Sequence, residues 1–282
     1  MFQEVCAGGL PLVVEGTWLS KKGLCHGFTT RRGGVSRGHL ESLNVGVHRG
    51  DDIENVRENV RRAALAMGAE PENTVMSAQQ HHDVVYQVTQ KDAGKGVFRP
   101  TDITDADALM TNVAGIPLLT YSADCVLLLF FDPVRRAVAA CHSGWRGTCQ
   151  KIGAKTVLAM QKAYGTNPEN VLCAVGPSIG PCHFETDGDV ASAVAGAFKR
   201  AQYQNAVRPE GEKFFVNLWA LCRFQLEDIG LLPENISVLG ACTVCEKEKY
   251  FSHRGFSGKT GNLGGMIALS SNSEFIQERI SQ

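Results

Sequence analysis

Apolar positions recur at helical spacing in four stretches of the chain. Ile53, Val56, Val60, Ala64 and Met67 fall on one face, with Asp51 and Glu54 as a capping-box-like start and Gly68 as a stop. A second helix is predicted from about Gln150 to Tyr164, stopping at Gly165, and a third from about Gly188 to Arg200. A fourth starts near Asn217, buries Leu218, Leu221, Cys222 and Ile229, and ends at Gly230 with Pro233 beyond. Between these helices, residues 83–88, 125–131, 136–141, 171–175 and 236–240 read as strands. Several of them are apolar throughout, which predicts strands covered on both faces. Strands and helices mixed without strict alternation predict a layered α/β or α+β sheet protein. No repeat, linker or low-complexity segment divides the chain, so residues 1–282 are read as a single domain.

Composition narrows the class without naming a function. A hydrophobic content of 44% and a charged content of 20% fit a globular, water-soluble chain. The formal net charge of −1 gives no electrostatic footprint for nucleic acid or an anionic membrane, although a small anionic substrate needs only a few local cations. The apolar run Cys125 to Phe131 is far too short to span a bilayer, and the first residues carry Glu4 and Glu15 rather than a basic leader. Ten cysteines without a secretion signal read as reduced thiols, so the expected location is the cytoplasm. Most cysteines are then small buried hydrophobes, and a ligand role needs more than presence. Glycines gather at 33–50, 144–147, 176–180 and 255–265, four places where backbone turns tightly or approaches something closely.

The candidate chemistry starts at a predicted hairpin. Asp132-Pro133-Val134-Arg135-Arg136 is a turn signal between two apolar runs. If the turn closes around Pro133-Val134, residue 132 faces 135, and Cys125 falls opposite His142 at the open end. Cross-strand partners have Cβ atoms about 5 Å apart, which suits shared binding of one metal ion. Cys141 then points to the other face. A catalytic zinc commonly takes a third protein ligand and leaves one position open. His81 and His82, adjacent before the strand at 83–88, are the candidates; alternation lets only one of them join.

Seven ordered segments extend this reading: HGFTTRRGGVS (26–36), SLNVGVHRGDD (42–52), QQHHDVV (79–85), SADCVLLLFFDP (122–133), AACHSGWRGT (139–148), GPSIGPCHFE (176–185) and CTVCEKEKYFSHR (242–254). Together they resemble the YfiH-like laccase-domain family, also called polyphenol oxidases and described as purine nucleoside phosphorylases. The resemblance covers nearly the whole chain. It implies a single-domain α-β-β-α four-layer sandwich with mixed sheets. It also implies one zinc ion held by residues matching His81, Cys125 and His142. The chain departs from the family at position 82, where histidine replaces the usual glycine. The implied activities are phosphorolysis of adenosine, inosine, guanosine and methylthioadenosine, with adenosine deamination, so the implied partners are purine nucleosides and phosphate.

Such chemistry needs a proton carrier, for which Asp124 and Glu185 are candidates, Asp124 equally as a partner to the ligands or a strand-end cap. Phosphate needs cationic forks and backbone amides, for which Arg31 and Arg146 are candidates, with Asn44 placed to bind a sugar or orient a loop. Arg32 reads as a solvated loop charge. Trp145, Phe184 and Phe251 could stack on a purine, though an aromatic is more often core. Ser257 to Gly261 imitates a phosphate-binding loop but has His253 where that loop needs glycine. Cys242 and Cys245 have metal-like spacing without a second pair at finger distance, so buried thiols, or thiols lining the site near Cys182 and His183, are expected there. Two other functions fit parts of the chain. A copper-dependent polyphenol oxidase would use a His₂Cys set, but its trinuclear centre needs His-x-His pairs, and the eight histidines form none. A non-catalytic binding protein stabilised by zinc is the third reading.

Overall fold

The computed structural model describes residues 1–18, 20–21 and 23–271. It is a mixed α/β protein with three sheets. The first sheet orders strands Phe2–Ala7, Leu10–Glu15, Leu24–Thr29, Leu263–Leu269, Leu118–Ser122 and Val75–Met76, antiparallel except for the last pair. The second orders Ile236–Val238, Leu172–Val175, Val126–Asp132, Ala137–Ser143, Ala108–Thr111 and Val85–Gln87, with parallel pairs at both edges. The third is a small antiparallel sheet of Glu185–Thr186, Lys213–Val216 and Val207–Glu210.

Three apolar clusters hold these elements together. Phe28, Leu118 and Ile267 of the first sheet pack against Leu127, Leu129 and Val138 of the second. The outer face of the first sheet packs on the helix Ile53–Ala66 through Val56, Val60 and Ala63. The outer face of the second, including Val126, Leu128 and Cys141, packs on the helices Ile152–Tyr164, Gly188–Ala197 and Leu218–Glu227. The third, small sheet was not anticipated from the chain pattern.

The four predicted helices exist with shifted ends. The first is capped by Asp52, not Asp51: its side chain accepts from the Glu54 amide at 2.9 Å. The second begins at Ile152, after a separate turn of helix at Trp145–Cys149. The third breaks early because Phe198 leaves helical geometry to enter the core, and a new helix runs from Arg200 to Ala206. The fourth starts behind Asn217, whose side chain accepts from the Ala220 amide, and ends before Ile229.

The hairpin register differs from the predicted one. Asp132 pairs with Ala137, leaving a four-residue loop, so His142 stands opposite Leu127, and Val126 opposite Ser143. The shift adds two residues to the loop. Side chains alternate with period two, so a two-residue shift keeps Cys125 and His142 on the same side where a one-residue slip would have separated them. Cys141 pairs with Leu128 and is fully buried in the cluster behind the second sheet, on the opposite face to His142.

Candidate metal centre and adjoining cavity

Cys125 and His81 both lie on connections that pass from the first sheet to the second. The chain leaves the first sheet at Ser122 and enters the second at Val126, so Cys125 occupies the crossing. His81 lies on the crossing between Met76 and Val85. His142 projects from the strand Ala137–Ser143. The ligand atoms of His81, Cys125 and His142 lie within 4.8 Å of one another. His81 Nε2 is 3.9 Å from Cys125 Sγ, and the two imidazole rings meet edge to face at 4.8 Å. Gly144 sits against the trio: a methyl group there would lie 2.9 Å from His81 Cδ2 and 3.1 Å from Cys125 Sγ.

One buried carboxylate organises both histidines. Asp107 is 1% exposed. Its Oδ1 accepts from the His81 amide at 3.0 Å and lies 2.7 Å from His142 Nδ1. Its Oδ2 accepts from the amides of Gln80 at 3.0 Å and His82 at 2.9 Å. The His142 amide in turn donates to the Asp107 carbonyl at 2.7 Å. With Nδ1 held by the carboxylate, Nε2 is the atom left for a metal. Burial alone would raise the Asp107 carboxyl; the His142 hydrogen bond and charge, with the backbone amides, outweigh it and hold it below the usual value.

His81 adopts φ 61° and Asp124 φ 92°, a conformation rare for side chains other than glycine. Such strain persists where surrounding contacts over-determine it, as at a built site. The left-handed turn thus falls on His81, not on His82. His82 points elsewhere, its Nδ1 2.7 Å from Asp105 Oδ1. Gln79 ties the same loop to the first sheet, donating to the Tyr121 carbonyl at 2.7 Å and accepting from the Tyr121 amide at 3.0 Å. Burial would raise the Cys125 thiol and lower His142, but each answers the other's charge. Cys125 is pulled down to about 6, and His142, helped by Asp107, is raised to about 9. Thiolate and imidazole at these distances are donors that zinc accepts.

Two cavities share His81 and Cys125 in their walls. One, of about 410 Å³, is walled by Trp145, Phe184, Ile179 and Leu218 and bears Arg49, His253 and Arg254. The other, of about 210 Å³, includes Arg49, Gln79, Tyr121, His142 and Asn262. Arg49 lines both. Its Nε donates to Asn262 Oδ1 at 2.7 Å, and that is its one hydrogen bond among the described residues. Asn262 is placed by Asn44, whose Oδ1 accepts from the Asn262 amide at 2.9 Å.

The remaining candidates fall into two groups. Asp124 lines the larger cavity; its oxygens accept from the Thr243 hydroxyl at 2.6 Å and the Arg254 amide at 2.7 Å. Trp145 and Phe184 line it too, whereas Phe251 is fully buried under Arg31. Arg146 is exposed and lies over the Trp145 ring at 4.2 Å. Asn44 is fully buried, and its amide is filled by Gly46, Asp51 and Asn262. Arg31 spends three donors on the carbonyls of Glu41 and Lys247. Glu185 is exposed on the small third sheet, its carbonyl accepting from Arg254, and does not line the cavity. Asp107, Arg49 and Arg254 are the residues that sequence reasoning did not single out. Arg49 and Arg254 stand inside the conspicuous segments at 42–52 and 242–254. Asp107 carries no such mark.

Among the described residues, no helix is long and apolar enough to cross a membrane. The family model described as multi-copper polyphenol oxidoreductase laccase matches residues 25–270. The purine nucleoside phosphorylase YlmD of Bacillus subtilis (strain 168) is 35% identical over 261 residues, covering 89% of this chain and 90% of its own. The purine nucleoside phosphorylase YfiH of Escherichia coli (strain K12) is 34% identical over 252 residues, covering 89% and 96%. The crystal structure of the Bacillus licheniformis hypothetical protein YfiH superposes with a TM-score of 0.88 at 30% identity, covering 95% of this chain and 99% of that one.

Proposed function

The chain belongs to the family described as multi-copper polyphenol oxidoreductase laccase, and from that premise we propose that it is a metal-dependent purine nucleoside phosphorylase. The relatives at 35% and 34% identity carry that name, and the cavity beside the His81, Cys125 and His142 cluster supports the reading. In phosphorolysis a phosphate oxygen bonds to the ribose anomeric carbon as the bond to the purine nitrogen breaks. The departing base takes up a proton and leaves sugar 1-phosphate. The site must therefore hold an anion, a flat apolar ring and a proton carrier together.

The cavity offers each of these. Arg49, Arg254 and His253 present cationic or donor groups for phosphate. Trp145 and Phe184 supply flat apolar surface for a purine. Of the two acid–base candidates, Asp124 is the one that lines the cavity, and it also braces the wall by holding Thr243 and the Arg254 amide. Asn44 takes the loop-orienting role through Asn262 and Arg49. Arg146 acts by backing Trp145, and Arg31 by clasping the loops at 41 and 247. Glu185 contributes through the backbone carbonyl that anchors Arg254. The donor set His81, Cys125 and His142 fits zinc with one position left open. When bound there, zinc would supply a Lewis acid and a water of lowered pKa. Adenosine, inosine, guanosine and methylthioadenosine are the proposed substrates, with adenosine deamination as a further activity of the same site.

The observation that carries this reading is the three-ligand cluster opening on a cavity with two arginines and two aromatic walls. The family's laccase description favours copper oxidation of phenols as the second reading. The donors rank it lower: the two metal-type clusters among the described residues contain three histidines in all, too few for a trinuclear copper centre beside a His₂Cys site. The test is to incubate the purified protein with inosine or adenosine and phosphate and measure free base and sugar 1-phosphate. Phosphate-dependent turnover that Cys125→Ala abolishes supports the proposal. No turnover with the triad loaded sinks it, and copper-dependent oxygen uptake with a phenol would favour the second reading.

A further inference from the structure

A second group of ligand-type side chains lies outside the His81 cluster. Cys182, His183, Cys242 and Cys245 bring three sulfurs and one ring nitrogen within 4.8 Å of one another. His183 Nδ1 is 3.2 Å from Cys182 Sγ, 3.7 Å from Cys242 Sγ and 3.4 Å from Cys245 Sγ. Cys182 Sγ is 3.6 Å from Cys245 Sγ. A tetrahedral zinc ion with bonds of about 2.3 Å to sulfur and about 2.0 Å to nitrogen has edges of about 3.8 Å between sulfurs and about 3.5 Å between sulfur and nitrogen. The four distances scatter around those edges. A disulfide is a poorer description, since its sulfurs stand about 2.05 Å apart.

The backbone is arranged to hold such a site. Two tight turns face each other: His183 and Phe184 amides donate to the Gly180 carbonyl, and the Glu246 amide donates to the Cys242 carbonyl. The Gly180 amide donates to Cys242 Sγ at 3.2 Å, a hydrogen bond that favours thiolate. Cys242 and Cys245 have the two-residue spacing of a zinc knuckle, and all four cysteine and histidine side chains belong to these two turns.

We propose that Cys182, His183, Cys242 and Cys245 form a second metal site, closed by four protein ligands, that takes a structural zinc ion. It contrasts with the three-ligand cluster, which leaves a position open. Its place in the fold gives it a purpose. The turn at 180–184 gives Phe184 to the wall of the larger cavity, and the segment that follows the second turn gives it His253 and Arg254. Arg254 donates to the carbonyls of His183 at 3.1 Å and Glu185 at 3.0 Å, and the Thr243 hydroxyl of the second turn donates to Asp124. A zinc ion joining the two turns staples that wall without taking part in the reaction.

The test is zinc counted per chain in protein purified under reducing conditions, for wild type and for the Cys182→Ser/Cys245→Ser double variant. Both of these thiols are exposed, so the substitutions leave the core untouched. The expected result is a loss of one zinc per chain between the two proteins. The difference carries the test, so it is independent of whether the triad is loaded and of which reaction the protein runs. A thiol-modifying mercurial added to the Cys125→Ala protein should release one further zinc equivalent. Cobalt loaded into Cys125→Ala should show the intense near-ultraviolet absorption of a three-thiolate tetrahedral site. Equal zinc in wild type and double variant would overturn the proposal. So would a Cys182–Cys245 disulfide found by mass spectrometry in the reduced, freshly purified protein.

Discussion

Replacing Asp107 by asparagine separates an organising role from mere burial. The carboxylate accepts four hydrogen bonds: Oδ1 serves the His81 amide and His142 Nδ1, and Oδ2 serves the amides of Gln80 and His82. An amide side chain keeps one oxygen and turns the other position into a donor facing donors. If the oxygen stays with His142, the loop carrying His81 loses two anchors. If it turns to the loop, the His142 ring loses its partner. Either orientation leaves two donors facing a buried amide group; the loop amides are partly exposed and can turn to water, so Asp107→Asn should cost about 1–4 kcal/mol. A domain stable by about 5–15 kcal/mol survives that loss in most of its range. Loosening one histidine ligand should weaken the triad's metal binding by about 10- to 100-fold. Chelator competition in a Cys245→Ser background reads the triad alone, and urea unfolding reads the stability. Unchanged metal affinity in a variant that keeps its fold would refute the organising role.

Three further outcomes follow from particular contacts. Gly144→Ala places a methyl group 2.9 Å from His81 and 3.1 Å from Cys125, so it should cost about 1–3 kcal/mol and lower turnover by tenfold or more. Unchanged kinetics would show that the ligands can move apart freely. Arg49→Met should raise the KM for phosphate by tenfold or more and affect the KM for nucleoside much less, as steady-state kinetics can show. His26 is buried, and burial outweighs its hydrogen bond to the Glu15 carbonyl, holding its pKa down to about 4. Above pH 6.5 the ring is neutral in both folded and unfolded chains. As the pH falls from 6.5 to about 4, the unfolded chain takes up the proton first, so this residue should withdraw up to about 3 kcal/mol of stability. Urea midpoints of wild type and His26→Gln compared across that window should diverge; parallel curves would contradict the assignment.

Much of the second sheet is legible in the sequence because its strands are continuous apolar runs bounded by turn signals. The first sheet is not. Leu24–Thr29 is buried throughout yet contains His26 and Gly27, and Leu263–Leu269 opens with Gly264 and Gly265 close behind. Neither alternates in polarity. Their polar groups are satisfied only across the finished sheet, as His26 is by Glu15 and the Gly264 amide by the Thr29 hydroxyl. The predicted pairing of Cys125 with His142 was off by two residues, yet their proximity was readable, because parity survives a two-residue error in the loop. Asp107 was hidden among Asp102, Asp105 and Asp107. Nothing local says which turns inward, and only the pairing of Ala108 with Cys141 brings Asp107 beside His142. The second ligand cluster joins turns some sixty residues apart, a proximity that no local spacing encodes.

Phosphorus NMR of the wild-type protein with inosine and inorganic phosphate reads phosphorolysis itself. Loss of the phosphate resonance and growth of a ribose 1-phosphate resonance are expected, equimolar with hypoxanthine and absent in Cys125→Ala. Hypoxanthine formed without consumption of phosphate, or an unchanged spectrum from protein whose triad is loaded with zinc, would contradict phosphorolysis.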